Sequence, residues 1–99
     1  MLHIVNKSHA ERSALATCLR LAQDGHALLL IEDGIYAATA AAATASGITA
    51  ATSRLKVYVL QPDAEARGMG TRLAPGVTAV DYGGFVELVA AHPNSQSLL

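Results

Sequence analysis

Short runs rich in apolar residues alternate along this chain with stretches in which apolar residues recur every three or four positions, a pattern that predicts strand and helix in turn. The clearest run is Ala27 to Ile31, five apolar residues closed by Glu32-Asp33-Gly34. An unbroken apolar run ending in a polar turn predicts a strand covered on both faces, at the centre of a parallel sheet. Burying Leu28, Leu29 and Leu30 contributes roughly 1.5–3 kcal/mol apiece before chain entropy is counted, so helices are expected on both sides. Leu2 to Asn6 predicts a first strand. A helix follows from about His9 to Asp24, with Ser8 as its N-cap, Glu11 three residues later and Gly25 as its stop. On that helix Ala14, Leu15, Cys18, Leu19, Leu21 and Ala22 share one side, while Arg12, Ser13, Arg20 and Gln23 share the other.

Beyond the central strand, Asp33 is expected to cap a second helix through the alanine-rich run Ala37 to Ala45, stopped by Ser46-Gly47. Alanine propagates a helix well yet buries little area, so this helix either packs very closely or is only modestly anchored. Ile48 to Arg54 carries no clear pattern. Leu55 to Leu60 alternates and is rich in β-branched and aromatic residues, predicting a third strand. Gln61-Pro62 opens a short helix with Asp63 and Glu65 in its positive first turn and Arg67-Gly68 at its end. Met69 to Ala74 reads as irregular, Pro75-Gly76 as a turn, Val77 to Val80 as a fourth strand, and Asp81 as the cap of a last helix from Tyr82 to about His92. Pro93 to Ser97 is polar and expected to be loose, with Leu98-Leu99 available to dock on a neighbour. The alternation implies right-handed crossovers and an α/β fold, a three-layer α/β/α sandwich on a mainly parallel sheet of four or five strands. The 99 residues are expected to form one domain.

Composition sharpens this picture. With 52% hydrophobic residues but only three Tyr, one Phe and no Trp, the core must be built from Ala, Val, Leu and Ile, and the apolar surplus points to surface covered by a partner. A net charge of −1 with scattered Lys and Arg argues against direct nucleic-acid binding, which needs a clustered basic patch. No apolar run approaches the ~20 residues of a membrane span and the amino terminus lacks a signal pattern, so the expected location is the cytoplasm. Cys18 is the one cysteine; it has no internal partner for a disulfide, which fits a reducing compartment.

Ligands of open parallel sheets usually bind at the rim formed by the carboxyl ends of the strands. Here the predicted rim carries Lys7, Ser8, His9, Glu32, Asp33, Gln61, Asp81 and Tyr82. The first turn, Asn6-Lys-Ser-His-Ala10, has no glycine, so neither a dinucleotide fingerprint nor a phosphate loop can form there. Asp33 and Asp81 are conceivable as an acid and base pair, but each also starts a predicted helix, and capping is the stronger expectation. His3, His9, His26 and His92 fall on different elements with no i, i+4 pair, so no metal is expected within one chain, and no cofactor. Cys18 alone is capable of sulfur chemistry, as a thiolate that attacks a persulfide and carries its terminal sulfur onward. Against that, it lies on the apolar side of its helix, about nine residues and ~14 Å from the rim, where cysteine is ordinarily a small buried hydrophobe.

Several blocks spread over nearly the whole chain resemble the DsrH/TusB family: Met1-Leu-His3 with Asn6-Lys-Ser8, Cys18-Leu-Arg-Leu-Ala22, Leu28-Leu-Leu-Ile-Glu-Asp-Gly-Ile-Tyr-Ala-Ala38, Lys56-Val-Tyr-Val-Leu60, Ala66-Arg-Gly68, and Asp81-Tyr82 with Phe85-Val86. The resemblance implies a DsrE-like fold and the small subunit of a three-protein sulfur-relay complex, DsrEFH or TusBCD, assembled as a heterohexamer. Its implied partners are DsrE/TusD-like and DsrF/TusC-like subunits and a DsrC/TusE-like sulfur acceptor, with the main persulfide-bearing cysteine on the DsrE/TusD-like chain. Tus complexes serve 2-thiolation of the tRNA wobble uridine, and Dsr complexes serve sulfur oxidation. A cysteine at position 18 resembles the DsrH branch and makes Cys18 the candidate persulfide carrier of this chain. The chain departs from the family at its end, where Ser97-Leu98-Leu99 stands in place of a tryptophan found near the terminus of many relatives.

Overall fold

A computed structural model describes residues 1–8 and 14–98, with the side chains of residues 96–98 left out of the description. Five strands form one sheet: β1 (Leu2–Val5), β2 (Ala27–Leu30), β3 (Lys56–Leu60), β4 (Val77–Val80) and β5 (Ser95–Leu98), in the order β4-β3-β2-β1-β5. Every pairing is parallel. β2 occupies the centre as its apolar run requires, and all four of its residues are buried.

The helices divide unequally between the two faces. α1 (Ala14–Leu21), a 3-10 helix (Glu32–Ala38), α2 (Ala43–Ser46), α3 (Ile48–Ala51) and α4 (Gln61–Ala66) lie on one side, over Val5, Leu28, Leu30, Val57 and Val59. α5 (Tyr82–Ala91) lies on the other, where Phe85 and Leu88 pack on Leu2, Ile4, Ala27 and Leu29. The path steps from β1 to β4 in one direction and then returns across the sheet to β5. Reversing direction moves the crossover helix to the opposite face when all crossovers share one hand, which makes the third layer.

Four expectations need correction. First, α1 ends at Leu21 and not at Asp24. The Gln23 backbone N–H turns away to His26 Nδ1 (3.2 Å). Arg54 reaches over to donate to the Ala22 carbonyl (2.8 Å) and the Leu19 carbonyl, taking the acceptors that a further turn would use. The predicted start of this helix, His9 with Glu11, lies outside the described residues.

Second, no continuous helix runs through Ala37 to Ala45. The chain leaves β2 through Glu32 at a positive φ of 49° and tightens at once into the 3-10 helix. Thr39 then bridges Leu73 in antiparallel fashion, with Ala40 N–H donating to the Arg72 carbonyl (2.8 Å) and Ala74 N–H to the Ala38 carbonyl (2.8 Å). A helix this short is marginal by itself even when alanine-rich, so these tertiary bonds divide the run. Gly47 stops α2 as predicted, at φ 90°, and α3 begins directly after it in the segment without a clear pattern.

Third, Asp33 does not cap. Ile31 holds the N-cap position and makes no side-chain cap bond. Gly34 of the same turn is needed for closeness, because a Cβ there would stand 2.4 Å from the Val5 carbonyl oxygen. Fourth, the polar tail is ordered as β5: Leu2 N–H donates to the Asn94 carbonyl (3.1 Å) and the backbone continues parallel to β1. An open edge of β1 offers unpaired donors and acceptors, which outweigh the poor strand propensity of Ser95-Gln96-Ser97.

Candidate functional site

Cys18 lies on the inner side of α1, 1% exposed, in the cluster that includes Leu15, Ala22, Leu28 and Leu30. Burial pushes its thiol up to about 11, against a smaller opposing pull from the Arg54 guanidinium. A thiol with that pKa is ionised at neutral pH in only about one molecule in ten thousand. The predicted inward placement therefore holds, and in this conformation the sulfur is neither charged nor reachable.

At the rim, three of the predicted residues, Glu32, Asp33 and Gln61, bond to neighbours outside the predicted set. Glu32 N–H donates to Asp63 Oδ2 (2.7 Å), Arg67 Nε donates to Asp33 Oδ1 (2.9 Å), and Arg67 also donates to the Asp63 carbonyl (3.2 Å). Asn6 Nδ2 reaches Glu32 Oε2 at 3.4 Å, and Gln61 Nε2 donates to Glu65 Oε1 at 2.8 Å. These bonds tie the turn after β2 to α4 and hold Glu32 in its left-handed conformation. Asp81 caps α5 as expected, accepting from Gly84 N–H at 2.7 Å. Asp33 and Asp81 thus serve separate partners at the ends of β2 and β4, with β3 between them, and are not assembled as an acid and base.

At the opposite end of the sheet, two of the four histidines meet. His3 Nε2 lies 3.0 Å from His26 Nδ1. Because the Gln23 N–H points at His26 Nδ1, that nitrogen is an acceptor and His3 Nε2 is the donor of the pair. His3 is lowered from the ordinary histidine value by burial first, then by His26 and the terminal amine. Among the described residues no group of three or more His, Cys, Asp or Glu side chains is placed to hold a metal.

The feature with least cover is α5. None of its ten residues is buried, and Tyr82, Val86 and Val89 are 60, 67 and 42% exposed. Tyr82, Val86 and Val89 stand at i, i+4 and i+7, one ridge of the helix. Beside it Phe85, Val86, Val89 and Ala90 line an open groove of about 300 Å³. Glu87 is the sole charge between Tyr82 and Ala91. A monomer gains nothing by holding such a row in water, and exposed apolar patches of this kind mark association surfaces.

Sequence reasoning missed Arg54, Asp63, Arg67 and the His3–His26 pair. Each acts across 23 to 35 residues of chain, and no local periodicity signals such a contact. The exposure of α5 had a sequence signal: a helix segment that is apolar nearly all round, in a chain with apolar surplus.

Residues 7–95 match the family described as DsrH like protein. Protein TusB of Pectobacterium parmentieri is 41% identical over 95 residues, covering 94% of this chain and 95% of the relative. Protein TusB of Escherichia coli K12 is 33% identical over 97 residues, covering 98% and 99%. The crystal structure of the ychN protein from E. coli superposes with a TM-score of 0.73 over 98% of this chain and 97% of that one; at 16% identity this supports the fold alone.

Proposed function

The chain belongs to the DsrH/TusB family, and from that premise we propose that it is an architectural subunit of a sulfur-relay complex, holding sister chains in place while persulfide sulfur travels on one of them. The observation that carries this reading is the contrast between a thiol that is sealed and protonated and a helix that is bare and apolar. The α5 ridge is the docking face for DsrE/TusD-like or DsrF/TusC-like subunits. A DsrC/TusE-like protein receives the sulfur, and the name TusB on the relatives favours tRNA wobble-uridine 2-thiolation as the process served. The chain itself has no direct role at RNA, in keeping with its net charge of −1.

A second reading, in which Cys18 carries sulfur itself, draws on Arg54, whose charge acts on the thiol. If α1 lifted from the sheet, the Cys18 thiolate would attack the outer sulfur of a donor persulfide, form a persulfide on Cys18 and release the donor as a thiol. Loading the assembled complex with a persulfide donor and measuring intact masses before and after reductant separates the two. The architectural reading expects a reducible sulfur on a sister chain, none on this one, and unchanged turnover in Cys18→Ser. A reducible sulfur on this chain that disappears in Cys18→Ser would replace it with the carrier reading.

A further inference from the structure

On the α1 side of the sheet, across it from α5, a cleft of about 370 Å³ opens between the segment after β2 and the loop after α4. Tyr36, Thr39, Ala40, Ala41, Met69 and Arg72 line it. Its size falls within the range of small-molecule sites, which pair mostly apolar walls with a few placed polar groups.

The walls are built in advance. Ala40 N–H donates to the Arg72 carbonyl and Ala74 N–H to the Ala38 carbonyl, while Met69 N–H is held by the Ala64 carbonyl and Arg72 N–H by the Met69 carbonyl, all at 2.8 to 3.0 Å. The Thr39 hydroxyl is spent on the Tyr36 carbonyl at 2.8 Å. Arg72 is different. It is exposed, and its guanidinium has no hydrogen-bonding or ion-pair partner among the described residues. The neighbouring Arg67, by contrast, is bound to Asp33.

We propose that this cleft binds a small organic carboxylate, its apolar body against Tyr36, Met69 and the two alanines and its carboxylate on the Arg72 guanidinium. The planar fork of arginine matches a carboxylate with two parallel hydrogen bonds, and among the described residues no other cationic side chain lines the cleft. Ala40 and Ala41 leave the space that larger side chains would fill, and the pliant thioether of Met69 adapts to the shape of an aliphatic body. The site stands whether or not the chain works in a sulfur relay.

The test is an amide chemical-shift titration of the full chain with 4-methylpentanoate and, separately, with the isosteric neutral 4-methylpentanamide. Shifts centred on Ala40, Ala41, Met69 and Arg72 are expected, with the carboxylate bound about tenfold more tightly than the amide, the scale of one charge-assisted contact. Arg72→Gln should abolish that preference. Ala41→Leu, which fills the cleft from the solvent side, should abolish binding of both compounds while leaving the melting temperature unchanged. Equal binding of acid and amide, shifts centred elsewhere, no shifts at all, or undiminished binding in Ala41→Leu would each overturn the proposal.

Discussion

The two faces of the sheet are built from similar residues and behave differently. On the α1 side, five helical segments close over Val5, Leu28, Leu30, Val57 and Val59, and even a thiol there is dry. On the other side a single helix lies over Leu2, Ile4, Ala27 and Leu29, and its outer ridge is left in water. The α1 face supplies the larger share of the hydrophobic burial that folds the chain. The other has apolar surface to spare, and its remaining burial is available to a partner.

That contrast can be broken from either side, and the expected effects on stability descend as follows. Leu30→Ala on the closed face should cost about 2–5 kcal/mol, read as a lower denaturant midpoint, because the packed surroundings of a fully buried leucine cannot collapse into the cavity. Gly34→Ala should cost about 1–3 kcal/mol, since the new methyl meets the Val5 carbonyl and the turn has to move. Arg54→Ala, which uncovers the carbonyls at the end of α1, should cost about 1–2 kcal/mol; its exposed contact with Asp24 adds little.

Acid should produce a smaller loss. His3 is held below its ordinary value of 6.5, so the unfolded chain binds the proton more readily than the folded one. Stability is therefore complete above that value and declines as pH falls below it. Melting curves between pH 7.5 and 5.5 should show the decline, and it should become shallower in His3→Leu, with the remainder owed to His26, which is also held below its ordinary value, by burial first. The smallest effect belongs to the open face: Val86→Glu should change chain stability by no more than about 0.5 kcal/mol, yet abolish co-purification with sister subunits. A loss comparable to that of Leu30→Ala would mean that α5 is part of the folding core.

Much of this was legible in the chain. β2 and its neighbours follow from uninterrupted or alternating apolar runs, Gly47 and Gly68 stop their helices, and Asp81 caps α5 as its position before Tyr82 predicts. Cys18 falls on the buried side of α1 by helical spacing alone. The failures share one cause. The alanine run, Asp33 and the tail from Ser95 each have weak or ambiguous local preferences, and each was settled by a distant group: Leu73 with Arg72, Arg67, and the open edge of β1.

Periodicity alone thus determined the α/β alternation, the central strand and the inward thiol, because hydrophobic burial is large and is written at short range along the chain. Tertiary structure decided which histidines meet, and which arginine caps a helix and which stands open over a cleft. Those outcomes depend on hydrogen bonds and single charges, each of about 1 kcal/mol and made between residues far apart in sequence, so they exist only once the sheet has brought the two partners together.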